Sequence, residues 1–188
     1  AGSILKFGGS GTYTNAMTFA TGAPVFDVTN QSVILSGVLG GPGDLAVTGA
    51  NGTLTLTNTG NTYAGGTEVY GNATLNVGAD SELGAVAALQ LGDASTKGTL
   101  QYGASFALDS GRTMTLNAGG GAINTNGFDA TIASAIGGAG GLAKLGTGTL
   151  TLTGTNTYTG ATTVNAGTLQ VNGLIASSAV TIASGGTL

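Results

Sequence analysis

Carboxylates are the only side chains in this sequence that offer a classical route to hydrolytic chemistry, because its 188 residues include no His and no Cys. Ser-His-Asp and Cys-His nucleophilic sites and the usual zinc sites therefore cannot form from this chain. A pair of carboxylates can still cleave a glycosidic bond, which leaves one route to catalysis open. The eight acidic residues are Asp27, Asp44, Glu68, Asp80, Glu82, Asp93, Asp109 and Asp129.

The spacing of these acids favours a solvated surface over a reactive site. Glu68 and the segment 80–93 fall on or near successive units of the repeat described below, so an acidic cluster that cleaves a polysaccharide is the alternative. Asp80-Ser-Glu82 could also hold an adventitious cation. No repeat pairs two acids, however. We therefore predict no catalytic residue, no cofactor-binding residue and no metal-binding residue in this chain.

Two glycine-rich segments are similar to known binding loops but lack essential residues. Gly40-Gly-Pro-Gly-Asp44 is similar to the calcium-binding nonapeptide, yet its Asp comes one place early and the equivalent Gly141 carries no carboxylate. The segment 137–141 is rich in Gly like a phosphate loop, but no Lys-Ser/Thr pair follows it and no helix begins after it. Both segments are better interpreted as tight corners between strands.

Two tyrosines occupy equivalent positions, because Tyr63 follows Asn61 and Tyr158 follows Asn156 at the same distance. An exposed tyrosine ring can stack on a sugar, so a carbohydrate-binding platform is one interpretation of this recurrence. The interpretation that we favour is structural, with each tyrosine packed against a turn that occurs twice in the chain.

The composition of the chain excludes several classes of partner. Its four basic residues are scattered and its formal net charge is −4, so nothing attracts a nucleic-acid backbone. No apolar run approaches the roughly 18 residues that span a bilayer, and we expect no membrane insertion by this segment. Because 41% of the residues are hydrophobic, the chain is expected to fold despite its 37 glycines.

The sequence repeats itself after about 96 residues. The segment 45–63 recurs as 142–158 with a slip of one or two places, and Met17-Thr-Phe19 recurs as Met114-Thr-Leu116. We therefore interpret residues 1–188 as one continuous body made of two related copies, residues 1–97 and 98–188. The body is expected to be a fragment of a longer protein.

A shorter period within each copy predicts the fold. Gly-Thr-Leu recurs at equal intervals, at Gly148, Gly167 and Gly186, and the intervening strands alternate polar with apolar residues. Such repeats stack as coils, which predicts an all-β, single-stranded right-handed parallel β-helix of about nine or ten coils. Its length would be on the order of 45 Å, since neighbouring strands lie about 4.8 Å apart. The residues expected to stack inside are Leu54, Leu75, Leu150, Leu169 and Leu188.

The second copy closely resembles the passenger-associated transport repeat of autotransporters. It contains, in order, a Gly-Leu-x-Lys start that ends at Lys144, a Gly-Thr-Leu-x-Leu strand, an Asn-x-Tyr-x-Gly turn that begins at Asn156, and a Val-x-x-Gly-x-Leu strand. The first copy departs from this pattern, because Val47 replaces the lysine and Ala50-Asn51 lengthens the corner. The resemblance extends over essentially the whole chain.

The resemblance implies a secreted bacterial protein that a C-terminal barrel exports to the cell surface. It also implies a non-enzymatic segment that serves as a rigid stalk, an adhesin or a self-associating fibre module. A β-helix that degrades polysaccharides or binds glycans is the alternative. The regular outward threonines could order water as ice-binding solenoids do, make weak polar contacts with glycans or sister molecules, or form a plain solvated face. A host or surface glycan or protein is the partner that the resemblance leaves open.

Neither end of the repeat carries a polar cap. Ser3-Ile-Leu-Lys-Phe7 and Gly186-Thr-Leu188 have the character of strands, and uncapped coils expose backbone groups and core positions. We therefore expect this segment either to be flanked by further coils or to associate end to end or side by side.

Overall fold

The computed structural model describes residues 3–176 and 179–188. In this part the chain winds as a parallel β-solenoid of about nine coils, and the fold class predicted from the sequence is confirmed. Successive coils pair through parallel strands on every side of the solenoid. In the described part of the chain no helix is long and apolar enough to cross a membrane.

Each coil contains short strands separated by tight corners, because Thr-Leu-Thr-Leu-like segments alternate with glycine and asparagine. The strands of the first four coils are Ile4–Lys6 (β1), Gly11–Tyr13 (β2), Met17–Thr18 (β3), Val25–Asp27 (β4), Ser32–Leu35 (β5), Leu39–Gly40 (β6), Leu45–Thr48 (β7), Thr53–Leu56 (β8), Thr67–Val69 (β9) and Thr74–Val77 (β10). A short 3₁₀ helix, Asp80–Leu83, completes the fourth coil.

The remaining five coils continue the same order. Their strands are Leu89–Leu91 (β11), Gly98–Tyr102 (β12), Phe106–Leu108 (β13), Met114–Leu116 (β14), Gly121–Asn124 (β15), Ala130–Ile132 (β16), Ile136–Gly137 (β17), Leu142–Leu145 (β18), Thr149–Leu152 (β19), Thr155–Asn156 (β20), Thr162–Val171 (β21), Leu174–Ile175 (β22) and Val180–Thr187 (β23).

The solenoid has three sides. Side 1 is the seven-stranded sheet of β1, β4, β7, β9, β11, β14 and β17, and β20 and β22 continue it. Side 2 contains β2, β5, β8, β10, β12, β15, β18 and the first part of β21. Side 3 contains β3 and β6, the 3₁₀ helix, β13, β16, β19 and the second part of β21. The long strand β21 runs around a corner and joins sides 2 and 3 into one sheet.

The length of a coil varies along the chain. The predicted interval between Gly148 and Gly167 is the length of one C-terminal coil, where Thr149 pairs with Thr168. Coils elsewhere are longer, because Ile4 pairs with Val25 and Leu89 pairs with Met114. Corners absorb the extra residues, and the strands therefore keep their register.

Apolar side chains fill the interior as columns. On side 2, Val33, Leu54 and Leu75 lie in register and are fully buried. Leu150 and Leu169 are also buried and in register, but they belong to a separate column on side 3. The predicted single stack of leucines is thus two columns, and Leu188 is 58% exposed rather than buried in either.

Candidate functional surface and repeat motif

The carboxylates act mainly as caps for backbone N–H groups. Asp44 Oδ1 accepts a hydrogen bond from Gly66 N at 2.7 Å, which gives the glycine-rich corner a structural role. Asp129 Oδ1 accepts from Thr149 N at 2.9 Å, across one coil. The other local acceptors are Asp27 for Thr29, Glu82 for Gly78, Asp93 for Ser95 and Thr96, and Asp109 for Gly111.

The structure does not gather the acids that the sequence placed near one another. Glu68 lies on side 1, Asp80 lies on side 3, and Asp93 lies at the corner between sides 1 and 2. The N–H of Ser95, with further donors from Thr96, lowers the pKa of Asp93 to about 2. Among the described residues no three acidic side chains converge as metal ligands would. Glu68, Asp80 and Asp93 therefore do not converge on one site.

Asp80 is instead the partner of a buried cation. Arg112 is 1% exposed, and its Nε and Nη2 lie 3.0 Å and 3.2 Å from the two carboxylate oxygens of Asp80. Its Nη1 also donates to the carbonyl oxygen of Ala85 at 3.1 Å. This fork fastens the loop around the 3₁₀ helix to the coil above it. By composition Arg112 is one of four scattered basic residues, and no pattern in the sequence distinguishes it.

Lys144 is a second buried cation. It is fully buried in the column between Ile123 and Val164, its register partners on the neighbouring coils. Its ammonium donates to Thr125 Oγ1 at 2.9 Å and to the carbonyl oxygens of Leu145, Gly146 and Ala166 at 2.9, 2.7 and 3.1 Å. Burial lowers the pKa of Lys144 to about 8.

A signal for Lys144 was present in the sequence. In the strand Leu142-Ala-Lys144 the lysine occupies an inward position of the alternating pattern, where an apolar residue is the norm. Its long aliphatic stem fills the column, while its ammonium reaches the carbonyl groups at the corner. The lysine of the repeat motif is therefore a part of the core.

The asparagine of the motif bridges three coils. Asn156 Oδ1 accepts from Ile136 N at 3.0 Å, and its Nδ2 donates to the carbonyl oxygen of Leu174 at 2.9 Å. Asn61 makes the same bridge: its Oδ1 accepts from Leu39 N at 2.8 Å and its Nδ2 donates to Glu82 O at 2.8 Å. Ordinary strand pairing leaves these backbone groups unpaired at the corner, so the amide replaces the missing bonds.

The tyrosines of the motif are buried. Tyr63 and Tyr158 are both 0% exposed, and their hydroxyls lie 2.9 Å from Thr67 Oγ1 and 2.7 Å from Thr162 Oγ1. Burial raises the pKa of Tyr63 to about 12, with the hydrogen bond to Thr67 as a smaller, opposing effect. A sugar cannot stack on either ring. The interpretation as turn-packing residues agrees with this geometry.

Side 2 presents the most regular outer surface. Its outward threonines lie in register on successive coils, and Thr53, Thr74 and Thr99 form one such column. A second column contains amides, and Asn124 Nδ2 donates to Gln101 Oε1 at 3.0 Å. The predicted outward ladder of threonines thus exists as a polar surface on side 2, continued by amide side chains.

These structural motifs coincide with a known repeat. The profile of the passenger-associated transport repeat matches residues 45–77 and 142–171. The chain contains two passenger-associated transport repeats. It is also 39% identical over 181 residues to the adhesin BmaC autotransporter of Brucella suis biovar 1 (strain 1330). That alignment covers 88% of this chain and 5% of the adhesin, so the chain spans a small part of its relative. No solved structure matches the chain.

The two passenger-associated transport repeats occupy different sides of the solenoid. In the first repeat β7 lies on side 1 and β8 on side 2, whereas the equivalent strands of the second repeat, β18 and β19, lie on sides 2 and 3. The repeats begin at residues 45 and 142, an offset that corresponds to four coils and one further side. Equivalent residues therefore face directions that differ by one side of the solenoid.

Proposed function

We propose that this chain is a non-enzymatic segment of a secreted surface passenger and that it works as a rigid, adhesive stalk at the outside of the cell. The observation that carries the proposal is that the lysine, the asparagine and the tyrosine of the repeat motif all point inward. Lys144, Asn156 and Tyr158 are each fully buried and bind neighbouring turns of the backbone or side chains. These residues hold neighbouring coils together, and such a role suits a rigid, stable stalk.

The adhesive part of the proposal depends on side 2. Hydroxyl and amide groups in register offer repeated donors and acceptors, and many weak contacts of this kind add up when a ligand is itself a repeating polymer. The relative from Brucella suis is named as an adhesin, which supports this role. We propose that this partner is a surface glycan.

Beads coated with the purified chain test this proposal on immobilised glycans and host cells. Replacement of Thr55, Asn76 and Gln101 by Ala removes outward side chains from side 2, and we expect adhesion to fall at least several-fold. The matched control replaces Thr131, Thr151 and Gln170, which face outward on side 3, and should retain adhesion. Equal loss in both variants, or no adhesion by the parent chain, would contradict an adhesive role for side 2.

The rival function is degradation of polysaccharides. The engagement of the carboxylates in backbone hydrogen bonds argues against it, because a general acid and base must be free to exchange protons. Incubation of the chain with bacterial and host polysaccharides, followed by a reducing-end assay, should show no turnover. Turnover by the parent chain that disappears in the Asp93→Asn variant would contradict the non-enzymatic proposal and show that the chain is an enzyme.

A second candidate function is self-association through the ends of the solenoid. A cavity of about 600 Å³ at the last coil is lined by apolar side chains, including Leu169, Val171 and Leu188. At the first coil Ile4 is 63% exposed on the outermost strand. We propose that the first coil of one copy pairs with the last coil of another.

Sedimentation velocity over a concentration series tests this association. The parent chain should form species whose mass grows with concentration, and Leu188→Asp should shift it to monomer, since a charge in the contact would lose its hydration. Thr151→Asp, which places the same charge on side 3, should leave association unchanged. A parent chain that stays monomeric at every concentration contradicts the proposal.

A further inference from the structure

Three asparagines at one corner share a feature that neither the stalk nor the repeat motif explains. Asn30, Asn51 and Asn72 are evenly spaced along the chain, and each begins an Asn-x-Ser/Thr triplet, namely Asn30-Gln-Ser32, Asn51-Gly-Thr53 and Asn72-Ala-Thr74. This triplet is the acceptor sequence for N-linked glycosylation, and it functions when it lies on the surface of a secreted protein.

The fold stacks the three triplets on consecutive coils. Ser32 pairs with Thr53 and Thr53 with Thr74, so the hydroxyl residues lie in register. The asparagines lie beside one another as well, since Asn51 Nδ2 donates to Asn30 Oδ1 at 3.4 Å. Their even spacing thus becomes a column of acceptor amides at the corner between sides 1 and 2.

The corner presents the acceptor groups to solvent. All three asparagines are exposed, with φ angles of 55°, 57° and 60° for Asn30, Asn51 and Asn72, while the middle residues Gly52 and Ala73 are buried. The middle residue of the first triplet, Gln31, is half-buried. In all three triplets the asparagine is exposed and the hydroxyl residue two places later is exposed or half-buried. A transferring enzyme could therefore reach both groups that define the acceptor sequence.

We infer that Asn30, Asn51 and Asn72 are sites of N-linked glycosylation that each accept a single hexose. The side-chain amide nitrogen forms a bond to the anomeric carbon of an activated sugar. The bond between that carbon and the oxygen of its nucleoside diphosphate breaks, the nucleoside diphosphate leaves with the electron pair, and the amide gives up one proton. The donor is thus a nucleoside-diphosphate hexose, and a glycosyltransferase supplies the catalysis.

The column also limits the size of each glycan. Neighbouring coils lie about 4.8 Å apart, which is comparable with the width of a hexose ring. Single hexoses can stand side by side on consecutive coils, whereas branched glycans on all three asparagines would collide. A row of hexoses would cover the edge of side 2 with hydroxyl groups and lengthen its polar surface.

The chain contains its own control for the conformation of the acceptor. Asn126 is also exposed and has a positive φ of 50°, but Phe128 stands two places after it and no acceptor triplet is formed. Asparagine is common in this left-handed conformation for steric reasons alone. If conformation were the whole explanation, Asn126 and the other three asparagines would be chemically alike.

Glycopeptide mass spectrometry of the full-length protein, isolated from the cells that make it, tests the inference. We expect the mass of one hexose on Asn30, Asn51 and Asn72 and none on Asn126. Thr53→Val should reduce occupancy of Asn51 more than tenfold and leave Asn30 and Asn72 modified, while Thr53→Ser should keep Asn51 modified. These variants leave the asparagine in place, so a loss reports on the acceptor sequence.

Several results would overturn the inference. These are the absence of sugar from all three asparagines, equal occupancy of Asn126, and attachment to the hydroxyl of Thr53. Conversion of Asn51 to aspartate without any sugar would show that Asn51-Gly52 deamidates and does not accept a glycan. Glycosylation requires only that a transferase can reach these asparagines. A negative result would therefore not contradict the proposed function as an adhesive stalk.

Discussion

Lys144 Nζ donates a hydrogen bond to the carbonyl oxygen of Ala166 at 3.1 Å, and this bond ties the seventh coil to the eighth. The same ammonium reaches down to Thr125 on the sixth coil. A cation inside an aliphatic column is costly unless polar groups surround it, and here oxygen acceptors do so. The lysine therefore exchanges apolar packing for a contact that spans three coils.

The buried lysine makes stability depend on pH. Its folded pKa is about 8, below the ordinary value of 10.5, because burial disfavours the charged form. Between these values the unfolded chain binds more protons, so raising the pH stabilises the fold. We expect the free energy of unfolding to rise by about 2 kcal/mol from pH 7.5 to 9.5, measured by urea denaturation.

Lys144→Met should abolish this rise, and Lys97→Met, at an exposed lysine, should preserve it. The chosen window ends before the tyrosines matter, since the raised pKa of Tyr63 makes stability fall only as the pH rises above the ordinary tyrosine value of 10.0. A flat profile for the parent chain between pH 7.5 and 9.5 would contradict the assignment of a depressed lysine pKa.

The bridging asparagine should be essential for stability. Asn156→Ala removes its bonds to Ile136 N and Leu174 O, and it leaves the buried N–H of Ile136 without this acceptor. We expect a loss of about 3 kcal/mol in the free energy of unfolding. Asn172→Ala is the matched control, because its side chain is exposed, and it should change stability by less than about 0.5 kcal/mol. Equal losses of stability in the two variants would show that the Asn156 bridge is not the cause of the destabilisation.

The two ion pairs of the described residues should differ greatly in their contribution. Arg112→Met leaves the carboxylate of Asp80 without its buried partner, and we expect a loss of about 3–5 kcal/mol. Lys6→Met breaks the pair with Asp27, but Lys6 is 74% exposed, and solvent screening limits the expected loss to less than about 1 kcal/mol. Thermal unfolding of both variants beside the parent makes the comparison. Similar losses of thermal stability in the two variants would show that burial does not make the Arg112–Asp80 pair more stabilising than the Lys6–Asp27 pair.

The effect of a Leu→Asp substitution in the Gly-Thr-Leu sequence on stability should depend on which coil carries it. Leu150→Asp places a charge in a fully buried column between Ala130 and Leu169, where no cation can pair with it. We expect a loss of several kcal/mol or failure to fold. Leu188 follows the same Gly-Thr sequence but is largely exposed, so Leu188→Asp should fold normally. Circular dichroism and expression in soluble form distinguish the two outcomes.

The residues of the repeat motif show how far sequence reasoning reaches. The alternation around Leu150 and the recurrence of Gly-Thr-Leu predicted strands, stacking and a parallel β-helix, because these depend on a period that can be read along the chain. The roles of Asn156 and Tyr158 could not be read in the same way. Their partners, Ile136, Leu174 and Thr162, become neighbours only when coils are stacked.

By itself the sequence determined the composition of the core and the direction in which each strand residue points, since both follow from local alternation of polar and apolar residues. Tertiary structure alone decided which coils the inward polar groups join. Burial of Arg112 and Lys144, separation of Asp80 from Glu68, and stacking of Asn30 on Asn51 all depend on coil lengths that differ along the chain. A difference of a few residues in the length of a corner changes which side chains become neighbours on successive coils. No local sequence pattern gives the total length of a coil.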